Sequence, residues 1–257
     1  MGILEGKRVL VTGVLNTSSI AYRIAQVALA EGAEVILSGF GRGLSITRRV
    51  AAKLQADLEV IELDAADAAS AKRASEDLGS RWSALDGLVH AIGFAPPSCL
   101  DGPMLETPWE DVATALQVST YSLALLASAF GELLANAGTS SIVGLDFDAR
   151  VAWPGYNWMG VAKAGLESLA RYLARELGPS GVRVNLVSAG PIRTIAAKSV
   201  ESFARFQDEW ASRAPLGWDP SDATAVARSV VALLSDFFPG TTGELVHVDG
   251  GFHAFGA

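Results

Sequence analysis

The sequence predicts an α/β fold, a doubly wound sheet of seven parallel strands in one domain over residues 1–257. Three observations predict it. Short runs rich in Val, Ile and Leu alternate with longer segments of helical period from one end to the other. Those runs are almost continuously apolar, as strands covered on both faces must be. No linker, low-complexity tract or repeat divides the chain, and the last run completes the same alternation as the first. Strands and helices in strict alternation give right-handed crossovers and therefore a parallel sheet.

The elements follow in order. "KRVLVTG" (7–13) is the first strand. "SSIAYRIAQVALAEG" (18–32) is a helix that starts after Ser18 and stops at Gly32, with a hydroxyl to cap one end and a glycine to leave the other. "AEVILSGF" (33–40), "LEVIELDA" (58–65) and "LDGLVHAIG" (85–93) are the next three strands. "YSLALLASAFGELLANAG" (121–138) is the most apolar long stretch, but it contains Glu132 and many small residues. A buried or subunit-interface helix explains it better than a membrane span. "SSIVGLDF" (140–147) is the fifth strand, followed by a helix that opens near Tyr156 and includes "GLESLARYLARELG" (165–178). "VRVNLVSAG" (182–190), the helix "DATAVARSVVALLSD" (222–236) and "GELVHVDGG" (243–251) complete the sheet.

Composition excludes several function classes. Half of the residues are apolar, enough for a sizeable core. The formal charge is −8, which argues against a nucleic-acid binder but leaves room for a local anion site. Cys99 is the only cysteine, so no internal disulfide can form; it reads as a small loop or core residue in a reducing compartment. The first residues carry Glu5, Lys7 and Arg8 with no apolar segment before them. A cytoplasmic protein is expected. His90 lies inside a strand and reads as packed, while His247 and His253 are too scattered to suggest a metal site.

Ligands of such sheets bind beyond the carboxyl ends of the strands. The first end reads "TGVLNTSSIA", with Gly13 and then Ser18, Ser19 and Ile20 at the helix start instead of G-x-G-x-x-G. Helix N-terminal amides and a serine hydroxyl can hold a pyrophosphate there, although an ordinary capped turn has the same sequence. The second strand ends at Phe40, where an NAD site of the usual pattern carries an acid. The ring is either an adenine stacking surface or a core residue. The third ends at Asp64-Ala65, where the carboxylate either accepts from an adenine amino group or is solvated. The fourth ends at Ile92-Gly93, which allows close approach of backbone to a cofactor.

"GYNWMGVAK" (155–163) places Tyr156 seven residues before Lys163. On a helix that spacing returns Lys163 to within about 20° of Tyr156, roughly 10 Å along the axis. A lysine so placed can orient a ribose through its hydroxyls and favours an ionised or strongly donating phenol. The phenol can donate to a substrate oxygen as negative charge builds on it. The plain alternative is Tyr156 in the core and Lys163 on a solvated face.

Taken together these motifs resemble the enoyl-acyl-carrier-protein reductases, a divergent branch of the short-chain dehydrogenase/reductases with a Rossmann-like fold. The resemblance runs from "LEGKRVLVTG" to "VDGG", and is closest to the mycobacterial type through "SSIA", "SGF", "ELD", "IGF", "DFD", "YNWM", "VAK", "SAGPIRT" and "RAPLGW". Ordinary short-chain dehydrogenases carry Y-x3-K; here Gly160 follows Tyr156 by four, and Y-x6-K is the enoyl reductase version. The resemblance implies NADH bound by Gly13, Ser19, Ile20, Phe40, Asp64, Ala65, Ile92, Gly93, Lys163, Ile192 and Thr194. It implies Tyr156 and Lys163 as catalytic residues, with Phe147 beside nicotinamide and substrate. The implied substrate is a trans-2-enoyl thioester of acyl-carrier protein or CoA, and the implied assembly is a homotetramer. Ser141 falls at the start of its strand, the wrong end for the serine of ordinary short-chain dehydrogenases.

Three departures stand out. Ala91 replaces the usual serine of "HSIGF". Gly160 interrupts a helix at a cost of about 1 kcal/mol, for which relief of crowding near the substrate would be a reason. The segment after "GPIRT" is shorter than in the mycobacterial type. It runs from 195 to 218, and Ile195, Val200, Phe203, Phe206 and Trp210 recur as one apolar face. In the family this segment is a helical flap over the acyl chain; a plain surface helix would show the same pattern. Two rival functions share the fold: a carbonyl reductase of the wider superfamily, and a non-catalytic dinucleotide sensor.

Overall fold

The structure, a computed structural model, describes residues 1–55, 57–194 and 203–255. The strands are β1 (Arg8–Val11), β2 (Glu34–Gly39), β3 (Val60–Glu62), β4 (Gly87–His90), β5 (Ser140–Asp146), β6 (Val182–Ala189) and β7 (Leu245–Val248). They form one sheet in the order β3-β2-β1-β4-β5-β6-β7, with every neighbouring pair parallel. The helices are α1 (Ile20–Ala30), α2 (Gly41–Ala51), α3 (Ala68–Gly79), α4 (Trp109–Leu116), α5 (Ser122–Ala129), α6 (Gly131–Asn136), α7 (Asn157–Leu177), α8 (Phe203–Arg213) and α9 (Thr224–Leu234).

Strand periodicity of two divides the core between the faces. Val9, Val11, Leu37, Val89, Val143 and Val187 pack under α1 and α9. Leu10, Ile36, Leu88, Ile142 and Leu186 pack under α3, α5 and α7. Continuous apolar runs in the sequence are the direct product of this double cover. The strand order reverses between β1 and β4, which pair through Leu10↔Leu88, and opens a crevice at their carboxyl ends.

The ladders are shorter than the apolar runs. β3 ends at Glu62, yet Leu63 and Ala65 stay buried, because the chain leaves the ladder to build loops that are themselves covered. The first helix is capped one residue later than its sequence suggests: the Ser19 hydroxyl accepts from the Tyr22 amide at 3.1 Å. The apolar stretch 121–138 is not one helix. A π-turn, Gln117–Tyr121, links α4 to α5, and the fully buried Phe130 breaks α5 from α6. Residues Trp109–Ala129 are long and apolar enough to cross a membrane by length and composition, but α4, the π-turn and α5 pack against α3 and α7.

Candidate active site

α7 begins at a strained corner. Gly155 has φ +74°, and Asn157, the first helical residue, has φ +33°, a backbone region that Asn tolerates better than most side chains. Three bonds from one loop hold this corner. The Asp101 amide donates to the Gly155 carbonyl at 3.0 Å, Asn157 Nδ2 to the Gly102 carbonyl at 3.0 Å and Trp158 Nε1 to the Met104 carbonyl at 3.0 Å. Between the two positive-φ residues stands Tyr156, whose ring meets that of Phe147, just past β5, edge-on at 5.1 Å.

Lys163 follows on α7, and it is not solvated. The side chain is buried, and Nζ donates to the Leu145 carbonyl at 2.8 Å and lies 3.8 Å from Asp146 Oδ1. Burial pushes the ammonium pKa down, and the Asp146 charge pushes it up. Burial raises the Tyr156 phenol above its ordinary value, and the Asp146 charge adds to this. Of the two forms expected, ionised or strongly donating, burial and the Asp146 charge favour the protonated phenol.

The crevice collects the strand-end residues. Gly13 has φ +80°, and a Cβ there would come 2.0 Å from the Ala91 carbonyl, so only glycine lets β1 turn this close to β4. Ser19 begins α1, whose first turn carries no acid; its first amides have no acceptor within the helix. The Ser19 hydroxyl itself is engaged in the cap, donating to the Asn16 carbonyl at 2.9 Å. What this corner offers an anion is therefore the amides of Ile20 and its successor. Phe40 is half exposed, not a core residue, and directly precedes α2. Asp64 keeps Oδ1 on the Ala66 amide at 2.9 Å in a tight turn, with Ala65 buried behind it. Ile92 is partly buried, Gly93 is exposed, Ile192 is buried, and Thr194 donates its amide to the Ile192 carbonyl at 2.7 Å. A helix start without acids, an open aromatic face and a buried ammonium, each following the carboxyl end of a strand, fit a dinucleotide.

The sequence reading missed the residues that brace these loops. Ser119 in the π-turn donates to the Phe94 carbonyl at 2.7 Å and accepts from its amide at 2.9 Å, which fixes the loop after β4. Gln117 reaches the Ala66 carbonyl at 3.0 Å and fixes the loop after β3. Thr12 donates to the Val89 carbonyl at 2.9 Å and accepts from the Ala91 amide at 3.1 Å. Such side chain–backbone bonds leave no periodic trace. Asp146 did leave one: an acid inside the apolar run "IVGLDF".

Other expectations divide. Ser141 donates to the Leu233 carbonyl at 2.9 Å, away from the crevice. His90 is fully buried against the Ser122 hydroxyl at 2.7 Å, and Cys99 is buried. His247 and His253 are not scattered: their rings stack at 3.8 Å. Within the protein, a Cβ at Gly160 would meet a Tyr156 ring carbon at 3.6 Å, an ordinary contact. Over the crevice, Phe206 and Trp210 of α8 are buried with ring centres 5.9 Å from Phe147. Ile195 and Val200 lie outside the described residues, as does the side chain of Phe203.

The chain matches the family model described as "Enoyl-(Acyl carrier protein) reductase" over residues 13–253. It is 44% identical to the enoyl-[acyl-carrier-protein] reductase [NADH] of Mycolicibacterium smegmatis, over 97% of each chain. It is 43% identical to that of Mycobacterium avium, again over 97% of each. It is 41% identical to that of Escherichia coli, over 98% of this chain and 96% of the other. With a matching model over most of its length and relatives this similar from end to end, the chain belongs to the enoyl-(acyl carrier protein) reductase family.

Proposed function

We infer that this protein reduces the double bond of trans-2-enoyl thioesters carried on acyl-carrier protein, with NADH as reductant, in fatty-acid synthesis. The observation that carries this reading is the buried Lys163 ammonium two turns after Tyr156 on α7, with Phe147 packed against the phenol. NADH supplies the hydride that reaches C3 of the substrate. Tyr156, kept protonated by burial, donates a hydrogen bond to the thioester oxygen as enolate charge builds there, and a proton taken up at C2 completes the saturated thioester. Lys163 holds the nicotinamide-side ribose with its free protons. Phe147 shapes the site and moves no proton. The pyrophosphate takes the start of α1 beside Gly13, Ser19 and Ile20, the adenine takes Phe40, Asp64 and Ala65, and Ile92, Gly93, Ile192 and Thr194 complete the cofactor wall.

The whole chain acts as one catalytic domain in this reading, and the segment near 195–218, which includes α8, covers the acyl group. Its assembly is a homotetramer. Trp109, Tyr121 and Tyr172 on the α4–α7 side are each more than half exposed and suit burial against another copy. A cytoplasmic setting suits the lone buried Cys99. The deciding experiment follows NADH consumption with a trans-2-dodecenoyl thioester and with a 3-ketoacyl thioester. Turnover of the enoyl substrate alone is expected; preference for the ketone would make the protein a carbonyl reductase, and turnover of neither would leave a binding role.

A further inference from the structure

Asp146 ends β5 immediately before Phe147. Its side chain has no solvent exposure, and Oδ1 lies 3.8 Å from Lys163 Nζ. Neither carboxylate oxygen makes a hydrogen bond of good geometry among the described residues; the Phe147 amide and the Lys163 ammonium are the donors that act on it. A buried carboxylate so poorly hydrogen-bonded is unfavourable unless a nearby charge compensates it, and the buried ammonium, with one carbonyl acceptor, also gains from an opposite charge.

We propose that Asp146 is a positioning residue: its carboxylate is the fixed counter-ion that keeps the Lys163 ammonium charged and held in place while it binds the ribose. This rests on the reading of Lys163 as the ribose ligand. The surroundings leave Asp146 as the source of compensation. His90 on β4 stays neutral, its pKa pushed down to about 3 by burial and then by the Lys163 charge. Tyr156 is a neutral phenol. Glu167 on α7 and Asp148 beyond β5 act on Asp146 and add to the upward push of burial, which takes its carboxyl to about 7 against the pull of Lys163. Above that pH the carboxylate faces the ammonium and opposes loss of its proton.

Asp146→Asn keeps the shape and removes the charge. NADH affinity, read by cofactor fluorescence from about pH 6 to pH 9, distinguishes charge from shape. At pH 6 the parent carboxyl is largely protonated, so parent and variant should agree within about twofold. On the alkaline side the variant should lose affinity at lower pH than the parent does, because its lysine gives up its proton earlier without the carboxylate beside it. Adding Lys163→Arg to Asp146→Asn should abolish that alkaline loss, because a guanidinium keeps its proton. Superimposable pH profiles of parent and folded Asp146→Asn would overturn the proposal. If the variant does not fold, the parent decides: binding that stays level to pH 8.5 supports the counter-ion, and a decline beginning near pH 7 overturns it. A Lys163→Ala protein with undiminished NADH affinity would instead overturn the ribose reading beneath it.

Discussion

Tyr156 shows how a single environment selects one chemical form of a side chain. A phenol near an ammonium could ionise, but this one is enclosed by Phe147 and its neighbours and faces the Asp146 charge, so it keeps its proton. In the proposed reaction its use is as a donor to an oxygen that gains charge. Tyr156→Phe should therefore lower kcat for enoyl reduction by about 100- to 1,000-fold, the loss of one oxyanion donor, while NADH affinity stays near the parent value. Single-turnover reduction and cofactor fluorescence together check this; unchanged turnover would remove the phenol from the mechanism. Gly160 carries a different expectation. With only an ordinary contact waiting for a methyl group, Gly160→Ala should stabilise α7 by about 0.5–1 kcal/mol, read as a higher denaturation midpoint.

Among the elements, α8 bears on the proposed acyl end of the site. Phe206 and Trp210 lie against Phe147 and Trp153, and Trp210 stacks on Phe252 at 3.7 Å. In the proposed reaction an acyl chain entering beside Phe147 meets this aromatic wall, and a short helical cover would set its reach. Each methylene adds about 0.8 kcal/mol only while wall remains to cover it. Across 2-enoyl thioesters from four to twenty carbons, kcat/KM should rise through short and medium chains and then level off. A rise that continues to the longest chains would show that α8 does not bound the pocket.

For the molecule as a whole, His90 ties acid stability to the centre of the sheet. Its folded pKa of about 3 lies below the ordinary histidine value, because burial disfavours the imidazolium and Lys163 repels it. The neutral form is favoured in the folded protein. Stability is therefore intact above about pH 6.5 and is lost as pH falls from there towards 3. Between about pH 6.5 and 4 this amounts to the order of a few kcal/mol. Urea denaturation of the parent and of His90→Gln should converge as pH falls through that window, since the amide does not titrate; a constant difference would remove His90 from the acid response.

The sequence by itself determined the sheet, its seven strands and the residues at their carboxyl ends, because burial on both faces writes continuous apolar runs. It also determined the family, through motifs that span nearly the whole chain. Only the tertiary structure decided that Lys163 is buried rather than solvated, that Phe40 is open rather than packed, that the stretch 121–138 breaks at Phe130, and that Ser119 and Gln117 brace the loops beside the crevice. These depend on contacts between residues far apart in the chain. Local periodicity records which face of an element is covered; it does not record what covers it, nor how far burial and a neighbouring charge move a proton.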